Sequence, residues 1–238
     1  YPNLEFIIVE NNSTEEKTFA YYEKLQKECS KAHVCYYKGN FNYSKINNFG
    51  VQYAKGEYLL LLNNDTEMIN DDCIEELLGY CTRSDVGIVG ARLYYEDDTI
   101  QHAGVVIGFG GIAGHCFVQQ PRGNTGYCHR IICAQDYSAV TAACMMVKRS
   151  VFDEVGGLTE ELAVAFNDID FCMKVRQKGY LVVYNPYAEL YHYESKSRGL
   201  EDTPEKLERF HKEIRTFETR WPEIMKNGDP YYNPNLSL

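Results

Sequence analysis

The stretch Gly56-Glu57-Tyr58-Leu59-Leu60-Leu61-Leu62-Asn63-Asn64-Asp65 decides the architecture. An apolar run bounded upstream by a glycine and downstream by three polar turn formers describes a short strand covered on both faces. Such strands belong to sheets held between helices, so helices are expected on either side of this one in sequence. Upstream, 44–54 places Ile46, Phe49, Gly50 and Tyr53 at helical spacing behind a Ser44 cap. Before that come a strand over 33–37 and a helix over 15–28 marked by Phe19, Tyr22 and Leu25. A first strand over 5–9 ends in Glu10-Asn11-Asn12-Ser13-Thr14, with Ser13 or Thr14 as helix cap. Downstream, the same reading gives a helix over 70–82 and strands over 86–90, 138–147 and 180–184. It also gives a helix over 167–178 stopped by Gly179. Strand and helix alternating in units of about 30 residues predict a parallel α/β sheet.

Two regions depart from that rhythm. Five glycines among apolar residues over 104–114 predict irregular chain or a β-ribbon. Leu207, Phe210, Ile214, Phe217 and Trp221 make an apolar stripe on a C-terminal helix introduced by Thr203-Pro204. The tail beyond it, with Pro222, Pro230 and Pro234, is expected to be extended.

Composition narrows the function classes. With 45% hydrophobic and 24% charged residues, the chain is globular rather than disordered or fibrous. At 238 residues it is one large domain or two small ones. The formal charge of −10 excludes a protein whose main task is gripping a nucleic-acid backbone. It leaves room for a phosphate-bearing small molecule where a metal ion or helix N-terminus supplies positive charge. The run 58–62 is far short of the roughly 18–20 residues of a membrane span. The nine cysteines include no Cys-x-x-Cys pair, and several sit in apolar runs. That usage predicts reduced thiols in a cytoplasmic setting, and the His115, Cys116, Cys128, His129, Cys133 cluster fits no standard zinc spacing.

Ligands of open α/β sheets bind beyond the carboxyl ends of the strands. Two polar clusters stand there: Glu10-Asn11-Asn12 and Asn63-Asn64-Asp65. A carboxylate at such a place suits Mg²⁺ or Mn²⁺ that keeps waters and grips phosphates, although Asn and Asp also favour turns for local reasons. A third feature is Asn167-Asp168-Ile169-Asp170 at a helix start. Residues two apart on a helix do not share a face, so the two aspartates have separate jobs and one of them can face a cleft as a general base. The fourth is Tyr191-His192 followed by Lys196 and Arg198, an imidazole and two cations in one segment.

In order along the chain, these motifs resemble the family-2 glycosyltransferases of the GT-A fold, in the bacterial branch of rhamnosyltransferase-like and polysaccharide-assembly enzymes. The resemblance runs through 6–13, 42–50, 56–65, Ala139-Val140-Thr141-Ala142-Ala143-Cys144, Val155-Gly156-Gly157-Leu158, 167–170 and 191–192. It implies a mixed, mostly parallel α/β sheet flanked by helices, with residues 1–200 as the GT-A domain and 201–238 as a C-terminal helix and tail packed on it. Implied partners are a nucleotide-diphosphate sugar donor and a glycan or lipid-linked acceptor, with a divalent metal (Mn²⁺ or Mg²⁺) as cofactor.

Residue by residue, Asp168 matches the general base and Asn167 replaces the family's Glu. Asp65 matches the metal ligand of the family's Asp-x-Asp motif, with Asn63 in place of the first Asp, and His192 matches a position that can complete the metal site. Glu10 stands where the family has an Asp against the nucleoside. Donor contacts extend to Asn12, Asn42, Lys45, Asn63 and Asn64, and Arg198 would offset diphosphate charge. Family members begin with one more strand and helix, so the resemblance marks this chain as a piece of a longer protein with further domains. The expected setting is cytoplasmic, at the inner membrane face if the acceptor is lipid-linked. The alternative function is a non-catalytic scaffold or partner-binding module of a polysaccharide-assembly protein.

Overall fold

The computed structural model describes residues 1–193 and 203–236. In chain order the elements are β1 (Phe6–Glu10), α1 (Glu16–Glu28), β2 (Ala32–Tyr36), α2 (Tyr43–Val51), β3 (Tyr58–Leu62), β4 (Thr66–Met68) and α3 (Cys73–Cys81). Then follow β5 (Val86–Tyr94), β6 (Ile100–His102), β7 (Val105–Ile107), β8 (Ala113–His115), a 3-10 turn (Tyr127–His129), β9 (Gln135–Asp136) and β10 (Cys144–Lys148). The chain continues through α4 (Arg149–Glu154), α5 (Asn167–Gln177), β11 (Leu181–His192), α6 (Pro204–Arg220) and α7 (Pro222–Asn227).

The main sheet runs β3-β10-β5-β11-β4, with β6 added to β5 and β9 to β11. β10 is antiparallel to both β3 and β5, and β11 is parallel to β5. β3, β5 and β11 therefore point the same way, with β10 reversed between two of them. β1 and β2 pair in parallel as a sheet of their own. One edge of β1 and one edge of β3 accordingly have no hydrogen-bonded neighbour among the described residues. Glu5 ties the two sheets at one end: its Oε1 accepts from Lys55 N–H at 2.6 Å and Gly56 N–H at 3.0 Å, just before β3.

The sheet is the middle of three layers. On β10, Met145 and Val147 join a core cluster shared with Phe152, Phe171, Val175, Phe217 and Trp221. Cys144 and Met146, on the opposite face, pack with Cys73, Leu77 and Cys81 of α3. The run 58–62 divides in the same way, Leu59 and Leu61 to one cluster and Tyr58 and Leu60 against the other, while Leu62 is exposed. All nine cysteines are free, five of them buried.

Several local expectations change. Asn42, not Ser44, caps α2, its Oδ1 accepting from Lys45 N–H at 2.9 Å. Ser44 is buried and donates to Leu162 O instead. Ser13 turns back to Glu10, so α1 begins at an N-cap Glu15 with no side-chain cap bond. The expected strand over 138–147 is regular only from Cys144, because the preceding segment crosses closely over β5. A Cβ on Gly90 would lie 2.4 Å from Val140, so glycine is what lets the two backbones approach. The glycine-rich 104–114 forms the antiparallel ribbon β7–β8. The tail is not extended after Trp221: Pro222 starts α7, where its missing N–H costs nothing. Beyond α7, buried Asp229 accepts from Ser138 Oγ at 2.8 Å and Ile107 N–H at 2.7 Å. No helix among the described residues is long and apolar enough to cross a membrane.

His102 is wholly buried, and neither ring nitrogen has a hydrogen-bond partner. Burial, then the neighbouring His115 (ring centroids 4.8 Å apart) and His192, hold its pKa well below 6.5. Folded His102 thus stays neutral while the unfolded chain takes up a proton as pH falls below 6.5. Its contribution to stability is full above that pH and declines by about 1.4 kcal/mol per pH unit until the folded pKa is reached. Denaturant melts of wild type and His102→Phe between pH 7.5 and 5 are expected to show a shallower pH slope in the variant; equal slopes would assign the dependence to other groups.

Candidate donor site and general base

The end of β3 and the end of β11 meet at one point. Asn63 N–H donates to Ala143 O at 3.0 Å, and Asn63 O accepts from Thr66 Oγ1 at 2.8 Å, folding 63–65 into a tight turn ahead of β4. β4 then pairs with β11 so that Thr66 lies opposite His192, and Tyr193 N–H donates to Asp65 O at 2.8 Å. This short reversal presses Asp65 against His192, with Asp65 Oδ1 3.2 Å from His192 Nε2. Asn63 Nδ2 is also 3.2 Å from that nitrogen.

The imidazole's other side fixes its tautomer. Gln101 donates through Nε2 to His192 O at 3.2 Å, which leaves its Oε1 facing His192 Nδ1 at 2.7 Å. An amide oxygen needs a donor, so Nδ1 carries a proton, while Nε2 lies within reach of both Asn63 Nδ2 and Asp65 Oδ1. Asp65 Oδ1 is buried and has no hydrogen-bond donor. A buried carboxylate oxygen without a hydrogen-bond donor thus stands beside an imidazole nitrogen, an arrangement that suits a cation. The donor set, one carboxylate and one imidazole oriented by an outer amide, fits a divalent ion. Among the described residues no three His, Cys, Asp or Glu side chains converge on a single point. The remaining coordination positions would fall to water and phosphate oxygens, as is usual for Mg²⁺-type sites.

Asp168 lies in the first turn of α5, half-buried. Its Oδ1 accepts from Ile169 N–H at 2.9 Å and its Oδ2 from Ala142 N–H at 3.2 Å. Ala142 adjoins Ala143, the residue to which Asn63 is bonded, so Asp168 and the Asn63–Asp65 turn are tied to neighbouring residues of one segment. Tyr43 of α2 holds the same segment, its hydroxyl donating to Ala142 O at 2.9 Å; burial first, then the Asp168 charge, raises its pKa. Asp170, one helical step away, is fully buried and accepts from Thr159, Arg220 and Trp221. Beside His192, at the carboxyl ends of β5 and β11, a pocket of about 650 Å³ opens between Tyr95, Asp97, Thr99, Gln119 and Tyr193.

The other expected contacts divide. Asn64 is exposed at the turn tip and Lys45 is exposed on α2. Glu10, Asn12 and Asn42 have their polar atoms bonded within the chain. Glu10 is buried and accepts from Ser13 N–H (2.5 Å), Ser13 Oγ (2.7 Å) and Tyr22 OH (2.9 Å). Burial raises its pKa, and those hydrogen bonds outweigh it, leaving Glu10 below the usual glutamate value. Asn12 donates to Gly39 O at 2.7 Å, and Asn42, besides capping α2, donates to Glu160 O at 2.9 Å. Arg198 lies outside the described residues. Gln101 was not singled out from the sequence, and Ala142 and Tyr43 stood there only within motifs of the resemblance, with no role of their own; each acts through a bond that no local residue pattern marks.

Comparison with known proteins gives the same picture at the level of family and fold. The model of the family described as "Glycosyl transferase family 2" matches residues 1–156. The uncharacterized protein y4gI of Sinorhizobium fredii is 49% identical across the whole chain, which spans 26% of that protein. O-antigen biosynthesis protein RfbC of Myxococcus xanthus is 36% identical, again across the whole chain, which spans 18% of it. The chain therefore covers about a quarter or less of the length of these curated relatives. Among solved structures, GalNAc-T7 with UDP, GalNAc and Mn²⁺ superposes with a TM-score of 0.68 at 14% identity, over 93% of this chain and 43% of that one. That likeness establishes the GT-A fold, a mixed α/β sheet flanked by helices. The chain belongs to glycosyltransferase family 2.

Proposed function

We propose that this chain is the catalytic domain of an inverting glycosyltransferase that moves a sugar from a nucleotide-diphosphate donor to a hydroxyl of a glycan or lipid-linked acceptor. Residues 1–200 would form that domain, with 201–238 packed on it, inside a longer polysaccharide-assembly protein working at the cytoplasmic membrane face. The observation that carries the reading is the buried, donor-free Asp65 Oδ1 set 3.2 Å from His192 Nε2, with Asp168 bonded to Ala142 beside the residue that holds Asn63.

Asp65 and His192 would hold Mn²⁺ or Mg²⁺, which when bound offsets the diphosphate charge and the charge growing on the departing nucleotide. Asn63 and Asn64 line that turn and would contact the donor, with Lys45, Glu10, Asn12, Asn42 and Arg198 as outer contacts. Asp168 accepts the proton of the acceptor hydroxyl as that oxygen bonds to the anomeric carbon and the bond to the diphosphate oxygen breaks on the opposite face. Each Asp168 oxygen already accepts one backbone bond and retains a lone pair for the incoming proton. The Ala142 and Ile169 N–H groups fix its orientation, so the carboxylate meets the acceptor without reorganising. The pocket beside His192 offers tyrosine faces and polar groups suited to a saccharide.

A panel of uridine-, guanosine- and deoxythymidine-diphosphate sugars, assayed for nucleotide diphosphate release with Mn²⁺ and again with chelator, tests the reading. Chelator-sensitive release from at least one donor is expected. Absence of release from every donor, in a protein that also binds no nucleotide, would favour a scaffold.

A further inference from the structure

α6 lies outside the residues matched by the family model, yet it reaches the segment that launches α5. Glu213 of α6 is 1% exposed. Its carboxylate accepts three consecutive backbone N–H groups: Ala163 at 2.8 Å and Val164 at 3.0 Å on Oε1, and Ala165 at 3.1 Å on Oε2. Burying a carboxylate is costly unless its oxygens are satisfied, and three amides aimed at one group satisfy them directionally. Packing alone would be served by an apolar side chain at this place. The next residue, Phe166, is held at φ 61° and packs on Phe210 and Phe217 of the same helix. Asn167 ties back to Val164 O at 2.7 Å. On the far side of Asp168, Asp170 accepts from Arg220 Nε at 2.6 Å and Trp221 Nε1 at 2.8 Å. Asp168 is therefore bracketed, two anchors apart, by one helix. From the opposite side α2 holds the same segment, Tyr43 N–H donating to Ala163 O at 2.8 Å and Ser44 Oγ to Leu162 O at 2.7 Å.

We infer that Glu213 is a positioning residue for Asp168: by clamping the amides of 163–165 it sets the left-handed turn at Phe166 and the direction in which α5 presents its first carboxylate. The inference rests on the reading of Asp168 as the base. A clamp of this kind acts on the chemical step, because a displacement of about 1 Å at a reacting group can cost about 100-fold in rate.

The test uses Glu213→Gln, which keeps the shape, leaves one acceptor oxygen and turns an NH₂ toward N–H groups. Amide hydrogen exchange is read by NMR on the full chain, alongside transfer kinetics and calorimetric binding of UDP with Mn²⁺. Exchange is expected to rise at least about tenfold at 163–165 and also at Ala142 and Ile169, the two donors to Asp168. Turnover should fall by about 10- to 100-fold, with UDP·Mn²⁺ binding unchanged. Glu213→Asp, which keeps the charge with a shorter reach, should lie between, and it is read in place of the glutamine variant if that variant does not fold. Faster exchange confined to 163–165, with Ala142, Ile169 and turnover at wild-type values, would reduce Glu213 to a loop anchor and overturn the inference. Asp168→Asn run in parallel separates the two ideas. Full turnover there sinks the base reading, while its loss beside an active Glu213→Gln sinks only the positioning role.

Discussion

Asp168→Asn is expected to leave nucleotide-sugar binding intact and to lower sugar transfer by about 10²- to 10⁴-fold, the range that a positioned general base contributes. The substitution is nearly isosteric, and its consequences can be followed atom by atom. Asparagine has one acceptor oxygen, so of the bonds from Ile169 and Ala142 N–H it keeps one. Losing the other costs about 1 kcal/mol of stability, too little to unfold a domain of this size. What disappears is the ability to take a proton as the acceptor oxygen attacks. Turnover should therefore fall while donor binding, which would rest on the Asn63–Asp65 turn, is kept. Steady-state kinetics at saturating donor, paired with calorimetry, make the check. Unchanged turnover in the variant would remove Asp168 from the chemistry.

Asp65→Ala should have the opposite profile at the donor. Metal-dependent nucleotide binding weakens by about 100-fold or more, since removing a direct ligand costs at least as much as removing the outer residue that orients one. The accompanying stability change is diagnostic. Asp65 Oδ1 is buried and receives no hydrogen bond, so the metal-free protein carries an unsatisfied carboxylate oxygen there. Its removal should leave metal-free thermal stability unchanged or slightly raised. Mn²⁺ should shift the melting temperature of wild type and not that of the variant. Equal Mn²⁺ shifts in both proteins would move the metal elsewhere.

Much of this arrangement could be read from local pattern. The apolar run before Asn63-Asn64-Asp65 is a strand ending in a tight turn, as its composition demanded, and the two aspartates of α5 separate as helical geometry requires. Asp170 turns inward to Arg220 and Trp221, while Asp168 stays half-buried beside Ala142. His192 reaches Asp65 across more than a hundred residues, and the family resemblance foresaw that meeting, not spacing.

What stayed hidden depends on tertiary context. β4 is three residues of Thr-Glu-Met with no apolar alternation, and it exists because β11 runs on far enough to pair with it. The caps of α1 and α2 moved because Ser13 and Ser44 found stronger partners in Glu10 and Leu162 O than a helix terminus offered. Glu10, Asn12 and Asn42, expected as donor contacts, also hold turns and the segment near Glu160, a second task that no local pattern marks. Glu213 sits among ordinary charged residues of an amphipathic helix, and nothing in that pattern announces three converging amides.

Asp65 and His192 would together form a metal-dependent nucleotide site. Calorimetric titration of the protein with UDP and with deoxythymidine diphosphate, each in Mn²⁺ and again with excess chelator, bears on it most directly. Saturable heat with at least one nucleotide in Mn²⁺, lost on chelation, is the predicted result. No heat with either nucleotide, or heat that chelation leaves unchanged, would contradict the account.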